Sequence, residues 1–484
     1  MLCHAGGRYG LGHLMRCLAV AEEAAARGWT VTIAGDLSEA AHQIAVDLVP
    51  SMVFASSVDV EADVLHVDTY DDVALPKRPW LVSNMQDASF GVREADLAID
   101  ANLGAETRFV AGRARHALVG ISAVPIRSAV RRARRTKGSG NAQRVLVVMG
   151  GTDPFGLTPA VVEAMAAISA PLEVTVVVPG AQRAAVERAV SSSHHDVRLV
   201  PFLRDLPSVA ARQDLVISAS GTSVWDFACM GVPMALVCVT ENQIPGYRAV
   251  LDEGLALGLG EPPHWQLAEH FGAVGAALHS PEILAELRSR GQERVDGLGA
   301  WRIVSAWEQL LESPAAEVVD ADVTTRLATG TDARLLHEWR NDPTTRRTSR
   351  SGDEVPWDDH LRWLDRVLRD PTRQLLIAER AGAPVGTIRW DHLGGRDWEV
   401  SITVAPEVRG RGLAAPLLRA GEDALRVDGG ARLIATVHVD NVPSRRLFQR
   451  AGYLPLTPPD GSGFATSVKW RPATAGATST GSPG

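Results

Sequence analysis

The chain has 484 residues, of which 45% are hydrophobic and 22% charged, the composition of globular protein with room for two to four domains. Its formal charge of −8 is spread rather than blocked, which gives no case for nucleic acid, and no apolar run approaches the ~18 residues of a bilayer span. Cys3, Cys17, Cys229 and Cys238 lack metal or framework spacing and read as buried, reduced thiols; no signal peptide is legible, so a cytoplasmic location is expected.

A short apolar segment, Met1 to Ala5, leads into Arg8-Tyr9-Gly10-Leu11-Gly12-His13. Leu14, Leu18 and Ala21 then share one face at helical spacing. Gly10 and Gly12 permit a sharp turn, and the helix start beyond it offers free N–H groups and a positive dipole end to an anion. His13 stands at that end, where it can take a proton from water near neutral pH. Residues 29–36, 64–68, 80–83 and 97–100 read as strands, and strand–helix alternation predicts a parallel sheet covered by helices. The first strand is short: either the sheet begins abruptly or the true start lies upstream.

Residues 128–143 are basic and then small, and read as an exposed connector. A second alternating unit follows, with buried parallel strands expected at 145–149, 174–178, 215–218 and 235–239, and a weaker one at 197–200 around Arg198. The expected class is α/β, with two doubly wound Rossmann-like halves at 1–127 and 144–310, a linker at 128–143 and a cleft between them. Ligands of such sheets bind beyond the carboxyl ends of the strands. A second linker is expected at 311–322. Residues 323–471 change character, with strands at 324–327, 375–378, 385–388 and 400–404 among tryptophan-rich helices, an α+β order. The small, uncharged stretch 472–484 reads as disordered.

Three glycine-bearing turns follow strands in the first 310 residues: Gly10-Leu11-Gly12-His13, Gly150-Gly151-Thr152-Asp153-Pro154, and Ser220-Gly221-Thr222-Ser223-Val224-Trp225-Asp226. Each sets backbone amides and small hydroxyls at a helix start, which suits a diphosphate held without metal. Asp226, one turn into its helix, is placed to accept ribose hydroxyls. Together with Val67-Asp68-Thr69-Tyr70, Gly231-Val232-Pro233, Glu241-Asn242-Gln243 and Asp296-Gly297-Leu298-Gly299-Ala300, these turns make residues 1 to about 305 resemble the UDP-sugar hydrolases of pseudaminic acid synthesis, enzymes of the GT-B fold. The resemblance implies cleavage of UDP-2,4-diacetamido-2,4,6-trideoxy-β-L-altropyranose to UDP and free sugar, with no metal expected. It implies His13 as base or water-positioning group, with Asp68 and Tyr70 beside the sugar. It implies a UDP-sugar site formed by Gly10, Gly12, Arg16, Gly151, Thr152, Asp153, Ser220, Gly221, Thr222, Ser223 and Asp226, closed by Asn242 and Gln243. Three positions depart from the family pattern: Cys3-His4-Ala5 replaces Arg-Ala-Asp, Asp226 replaces Glu, and Asn84-Met85-Gln86-Asp87 replaces paired aspartates. From position alone, Asp68 reads equally as a helix cap, His4 and His66 as structural histidines, and Cys17 as packing.

The second constellation is a strand, Ile402-Thr403-Val404, running into Arg409-Gly410-Arg411-Gly412-Leu413-Ala414 and a helix. Backbone amides there can wrap a diphosphate, and Arg409 and Arg411 add charge. Downstream lie Asn441, Ser444, Phe448, Gly452 and Tyr453. Over residues 324–470 this pattern resembles the GNAT N-acetyltransferases. The resemblance implies acetyl-CoA bound by Val404, Arg409, Gly410, Arg411, Gly412, Leu413, Ala414, Asn441, Ser444 and Phe448, its carbonyl entering at a splayed strand over 400–404. Phe448 stands where many members carry a tyrosine that protonates the leaving thiolate, so that proton is expected from water. Glu399 is the candidate base, its alternative reading being a solvated strand-end acid.

The two resemblances combine into one expectation: acetyl-CoA-dependent acetylation of a UDP-4-amino-4,6-dideoxy sugar, then hydrolysis of the product to UDP and free sugar. The alternatives are a GT-B glycosyltransferase with a fused acetyltransferase, and a non-catalytic sugar-nucleotide binding protein. The expected partner is the UDP-amino-sugar, with neither nucleic acid nor membrane; oligomeric state is left open.

Overall fold

The computed structural model describes residues 1–6, 9–75, 81–110, 112, 114–135, 143–150, 153, 155–178, 180–201, 203, 205–263, 265, 267–312, 322–347, 349 and 351–473. Gly151 and Thr152, the side chain of Asn242, the stretch 313–321 and the tail beyond 473 therefore lie outside the described residues. The chain divides into two compact units, residues 1–113 with 119–304, and residues 114–118 with 305–484. It is α/β throughout, with two parallel sheets in the first unit and a mostly antiparallel one in the second.

The first sheet places Val53–Ala55, Thr32–Ala34, Leu2–Cys3, Val64–Asp68, Leu81–Met85 and Leu97–Asp100 side by side, all parallel. Leu2–Cys3 is short but lies centrally, pairing with Ala34 on one side and with Val67 and Asp68 on the other. The strand expected at 29–36 is trimmed to Thr32–Ala34, with Gly28 and Gly35 at positive φ on either side. Val53–Ala55 was not legible because its residues are partly exposed at the sheet edge.

The second sheet runs Asp196–Val200, Glu173–Val177, Arg144–Val148, Leu215–Ala219, Met234–Val237 and Leu257–Gly258, again parallel. Val145, Val147, Val174, Val176, Leu215, Ile217, Ala235 and Val237 fill one core, while Leu146 and Val216 are fully buried on the opposite face. Two covered faces explain the unbroken apolar runs. Arg198 is tolerated because its strand is the edge one, where the side chain reaches solvent. In both sheets strand order reverses between central neighbours, Leu2–Cys3 beside Val64–Asp68 and Arg144–Val148 beside Leu215–Ala219. Such reversals open a crevice at the carboxyl ends.

Residues 128–135 differ from the exposed connector expected of them. Ser128–Arg132 is helical, Val130 is fully buried, and Ser128 donates to Glu22 from both N–H and hydroxyl. Arg134 donates to the carbonyls of Val295 and Gln292, and the N–H of Arg135 to that of Met230. The Arg134 guanidinium is spent on carbonyls at a helix end, while Arg131 pairs with Glu23 and Arg132 bonds the Ser128 hydroxyl, so the charges are tied into the fold.

In the second unit the sheet order is Thr324–Leu327, Arg373–Arg380, Ala383–Gly394, Asp397–Val404, Ala431–His438, Phe464–Arg471 and Leu454–Thr457. Alternation sorts its side chains: Leu376 and Ala378 join a core with Trp390, Leu417 and Tyr453, whereas Leu375 and Ile377 face the helices Ala333–Asn341 and Trp357–Arg369. All pairs are antiparallel except Asp397–Val404 with Ala431–His438. Among the described residues no helix is long and apolar enough to cross a membrane.

Candidate functional site

In the first unit, the turn after Leu2–Cys3 feeds the helix Gly12–Ala26 at the first sheet's reversal point. Gly10 lies at φ +68, the left-handed region that its missing Cβ permits. Leu11 precedes the helix without a side-chain cap, so the first-turn N–H groups keep their donor capacity. Asp68 ends the neighbouring strand and is 1% exposed. Its Oδ1 lies 2.7 Å from His13 Nδ1 and 2.7 Å from Arg16 Nη2, and its Oδ2 accepts from Arg16 Nε at 2.9 Å. A ring nitrogen 2.7 Å from an ionised carboxylate must carry the proton, so His13 donates through Nδ1. Arg16 Nη2, 3.0 Å from that nitrogen, is then a close cationic neighbour rather than a donor to it. With Nδ1 turned to Asp68, Nε2 is the ring atom that a base would use.

Burial alone would raise the Asp68 carboxyl, but Arg16 and His13 outweigh it and hold it down to about 2. Arg16, whose burial works against its charge, is driven further up by Asp68 and Asp87. It reaches Asp87 through Nη1 at 3.1 and 3.2 Å. Asp87 also accepts from Asn102 Nδ2 at 2.7 Å and from the Tyr70 hydroxyl. Burial, then Asp87, pushes the Tyr70 hydroxyl well up, so it stays a hydrogen-bond donor near neutral pH. The Tyr70 ring stands edge-on to His13, centroids 4.6 Å apart. One arginine thus holds two carboxylates. Asp87 and Asn102 were missed from the sequence as site residues; the departure at Asn84-Met85-Gln86-Asp87 was a trace of Asp87, and Asn102 left none.

The third turn meets the first. A Cβ on Gly12 would lie 3.3 Å from Thr222 Cγ2 and 3.5 Å from Thr222 Oγ1, so glycine permits the approach. Thr222 precedes the helix Ser223–Met230 without capping it, and Gly221 faces open space. Asp226 is partly buried, and desolvation, eased by Arg127, lifts its carboxyl to about 6. The second turn behaves differently. Asp153, at φ +41, accepts from the N–H groups of Leu157 and Thr158 and from the Thr158 hydroxyl. Its carboxylate organises the following helix, which corrects the expectation that it faces a ligand. Gln243 likewise turns its Oε1 to the N–H of Val239, 3.2 Å away. His66 and His4 are structural: His66 bonds Ser83 and burial drops it to about 4, and His4 accepts from the N–H of Asp36. Among the described residues no cluster of three His, Cys, Asp or Glu is suited to a metal.

In the second unit, Asp397–Val404 and Ala431–His438 pair only at Asp397, Trp398 and Glu399, although both strands run on. They splay over 400–404. Glu399 sits at the fork and accepts from the Thr436 hydroxyl at 2.6 Å. Beyond the splay, Gly410 and Gly412 lie at φ +77 and +75, and a Cβ at either would meet nothing within 4 Å. The helix Ala414–Ala424 then starts with Leu413 at its cap and no side chain on its amides. The loop is therefore an open backbone cradle, which fits a diphosphate.

Three expected contacts are redirected. Arg409 bonds Asp342 at 2.5 Å, Thr345 Oγ1 at 2.7 Å and the Val404 carbonyl at 3.3 Å, so it anchors the loop, while Arg411 is exposed. Asn441 caps its own helix through the N–H of Ser444, 3.3 Å away. Phe448 is 4% exposed in the core, edge-on to Tyr453. The Tyr453 hydroxyl donates to Glu422, and burial raises it well above its ordinary range, which removes it as an acid.

Residues 334–453 match the model of the acetyltransferase (GNAT) family. The second unit carries a GNAT-like domain. Residues 145–247 match the glycosyltransferase family 28 C-terminal domain, a stretch that takes in five of the six strands of the second sheet and the third turn of the first unit. Among solved structures, the chain is similar to a spermidine N-acetyltransferase from Vibrio cholerae in complex with CoA and spermine, at 17% identity and TM-score 0.28 over 31% of this chain and 95% of that one. An acetyltransferase from Thermus thermophilus is similar at 21% identity and TM-score 0.28, over 32% of this chain and all of that one. An aminoglycoside acetyltransferase in complex with coenzyme A is similar at 22% identity and TM-score 0.27, over 31% and 95%.

Proposed function

We propose that the chain is a bifunctional sugar-nucleotide enzyme. Its GNAT domain acetylates the 4-amino group of a UDP-4-amino-4,6-dideoxy sugar with acetyl-CoA. Its first unit hydrolyses the resulting UDP-2,4-diacetamido-2,4,6-trideoxy sugar to UDP and free sugar, as in pseudaminic-acid-type synthesis. The observation that carries the hydrolytic half is the His13–Asp68 pair, with Nδ1 held on a buried carboxylate and Nε2 left to take a proton from water. UDP is a good leaving group, so the site need only hold the diphosphate and aim a water at the anomeric carbon. The Ser220 and Gly221 N–H groups bond the carbonyls of Val237 and Ala219, so the Thr222 and Ser223 amides and the turn's hydroxyls are the groups suited to the diphosphate. The two carboxylates gathered on Arg16, Asp68 and Asp87, favour the positive charge that develops on the sugar ring as the bond breaks. In the GNAT domain the 409–414 cradle would hold the pyrophosphate of acetyl-CoA, the splay would receive its acyl arm, and Glu399 would accept the proton of the attacking amine. Acetyl-CoA supplies the activated acyl group.

The family 28 match favours a second reading, glycosyl transfer to an acceptor hydroxyl, with His13 deprotonating that hydroxyl instead of water. Mass spectrometry of the full chain with acetyl-CoA and the UDP-4-amino sugar separates the two. Hydrolysis predicts UDP and free diacetamido sugar with no acceptor added. His13→Ala should accumulate acetylated UDP-sugar, and Gly412→Trp should stop acetylation. Strict dependence of UDP release on an acceptor refutes hydrolysis.

A further inference from the structure

Beside the His13–Asp68 pair, the Phe90 ring extends the aromatic surface of Tyr70. Phe90 is 61% exposed and Tyr70 47%, although both are large apolar rings. Their centroids are 5.8 Å apart, and Tyr70 stands 4.6 Å from His13, so the three rings form a row leading away from the base. The row is rigid. Asp87 and Phe90 exchange N–H···O bonds at 3.0 Å across a tight turn. Within that turn Ala88 is held at φ +54, where a residue with a Cβ is strained, and its N–H is fixed on Asp100 at 2.9 Å. Gly91, at φ +71, lets the turn close on Tyr70: a Cβ there would be 3.4 Å from the Tyr70 ring and 3.2 Å from the Thr69 carbonyl. Arg93 ties the two loops together, donating to the carbonyls of Thr69 and Gly91. Asp87 pins both rings at once, Tyr70 through its hydroxyl and Phe90 through the backbone.

Leaving an aromatic ring in water costs burial, and holding it there on a strained turn costs more, so the arrangement favours a ligand with an apolar face. Resting on the sugar-nucleotide reading above, we infer that Phe90 and Tyr70 form the platform for the sugar ring, with Phe90 under the carbon-rich face that bears the 6-deoxy methyl. A ring carbon bearing methyl in place of hydroxymethyl offers the platform apolar surface without a hydroxyl to desolvate. Phe90 is therefore a specificity-determining residue. It acts on the sugar and leaves the nucleotide untouched.

Titration calorimetry of the full chain tests this with three probes: UDP, UDP-N-acetylglucosamine and the 6-deoxy counterpart of the latter. The wild type should bind the 6-deoxy sugar nucleotide most tightly. Phe90→Ala should weaken it about tenfold and erase the 6-deoxy preference while leaving UDP unchanged. Phe90→Trp should retain both affinity and preference. If Phe90→Ala keeps the preference, or weakens UDP itself, the sugar platform is wrong; the latter result would assign the ring to uracil. Failure of the hydrolytic reading shows separately: a chain that keeps this binding pattern but releases UDP only to an acceptor loses hydrolysis and keeps the platform. A chain that hydrolyses with no sensitivity to Phe90 loses the platform alone.

Discussion

Asp68 is the residue on which the first site turns. Its folded pKa of about 2 lies below the ordinary 3.8, so ionised Asp68 stabilises the fold. The sign follows from linkage: the contribution, about 2 kcal/mol, is complete above roughly pH 4 and fades as pH falls toward 2. Asp68→Asn leaves buried Arg16 with Asp87 alone, and breaking a buried pair on one side costs about 3 kcal/mol. Urea unfolding at pH 7 should show that loss, and the gap between wild type and variant should narrow as pH approaches 2. A gap that stays constant with pH would mean Asp68 stabilises without its charge. His13 and Asp68 were visible in the sequence because glycines and a strand end mark them. Asp87 was not, because its partners Arg16 and Tyr70 lie 71 and 17 positions away and only the fold brings them together. Asp153 misled for the opposite reason: a carboxylate after a glycine turn looks the same whether it meets a ligand or caps its own helix.

At the level of elements, the parallel strands were legible because both faces of each sheet are buried, which writes continuous apolar runs into the chain. Edge strands such as Val53–Ala55 carry no such run. Arg134 looked solvated because nothing local shows that the carbonyls it binds come from an element some 160 residues away. In the GNAT domain the splay is an element-scale device: pairing ends at Glu399 and Ile434 while both strands continue. Glu399 either works on the amine or only ties the fork through Thr436. Glu399→Gln keeps the acceptor oxygen and so keeps the tie. If Glu399 is the base, thiol release from acetyl-CoA should slow about 100-fold in kcat with KM for acetyl-CoA unchanged. Full-rate transfer by the variant would make Glu399 structural.

The whole chain joins two units, each with its own cores: Val147, Val176 and Ile217 in the first, Trp390, Leu417 and Tyr453 in the second. A unit that buries its own apolar core can unfold on its own, and a ligand stabilises only the unit that binds it. Calorimetry of the full chain should therefore resolve two transitions. Coenzyme A at about 100 times its Kd should add about 2.7 kcal/mol to the transition of the GNAT unit and leave the other in place. UDP should do the reverse, acting through Thr222 and Ser223. Gly412→Trp should abolish the coenzyme A shift without touching the UDP shift, because its φ of +75 leaves no strain-free conformation for a side chain in the cradle. A single transition moved by both ligands would show that the units unfold as one.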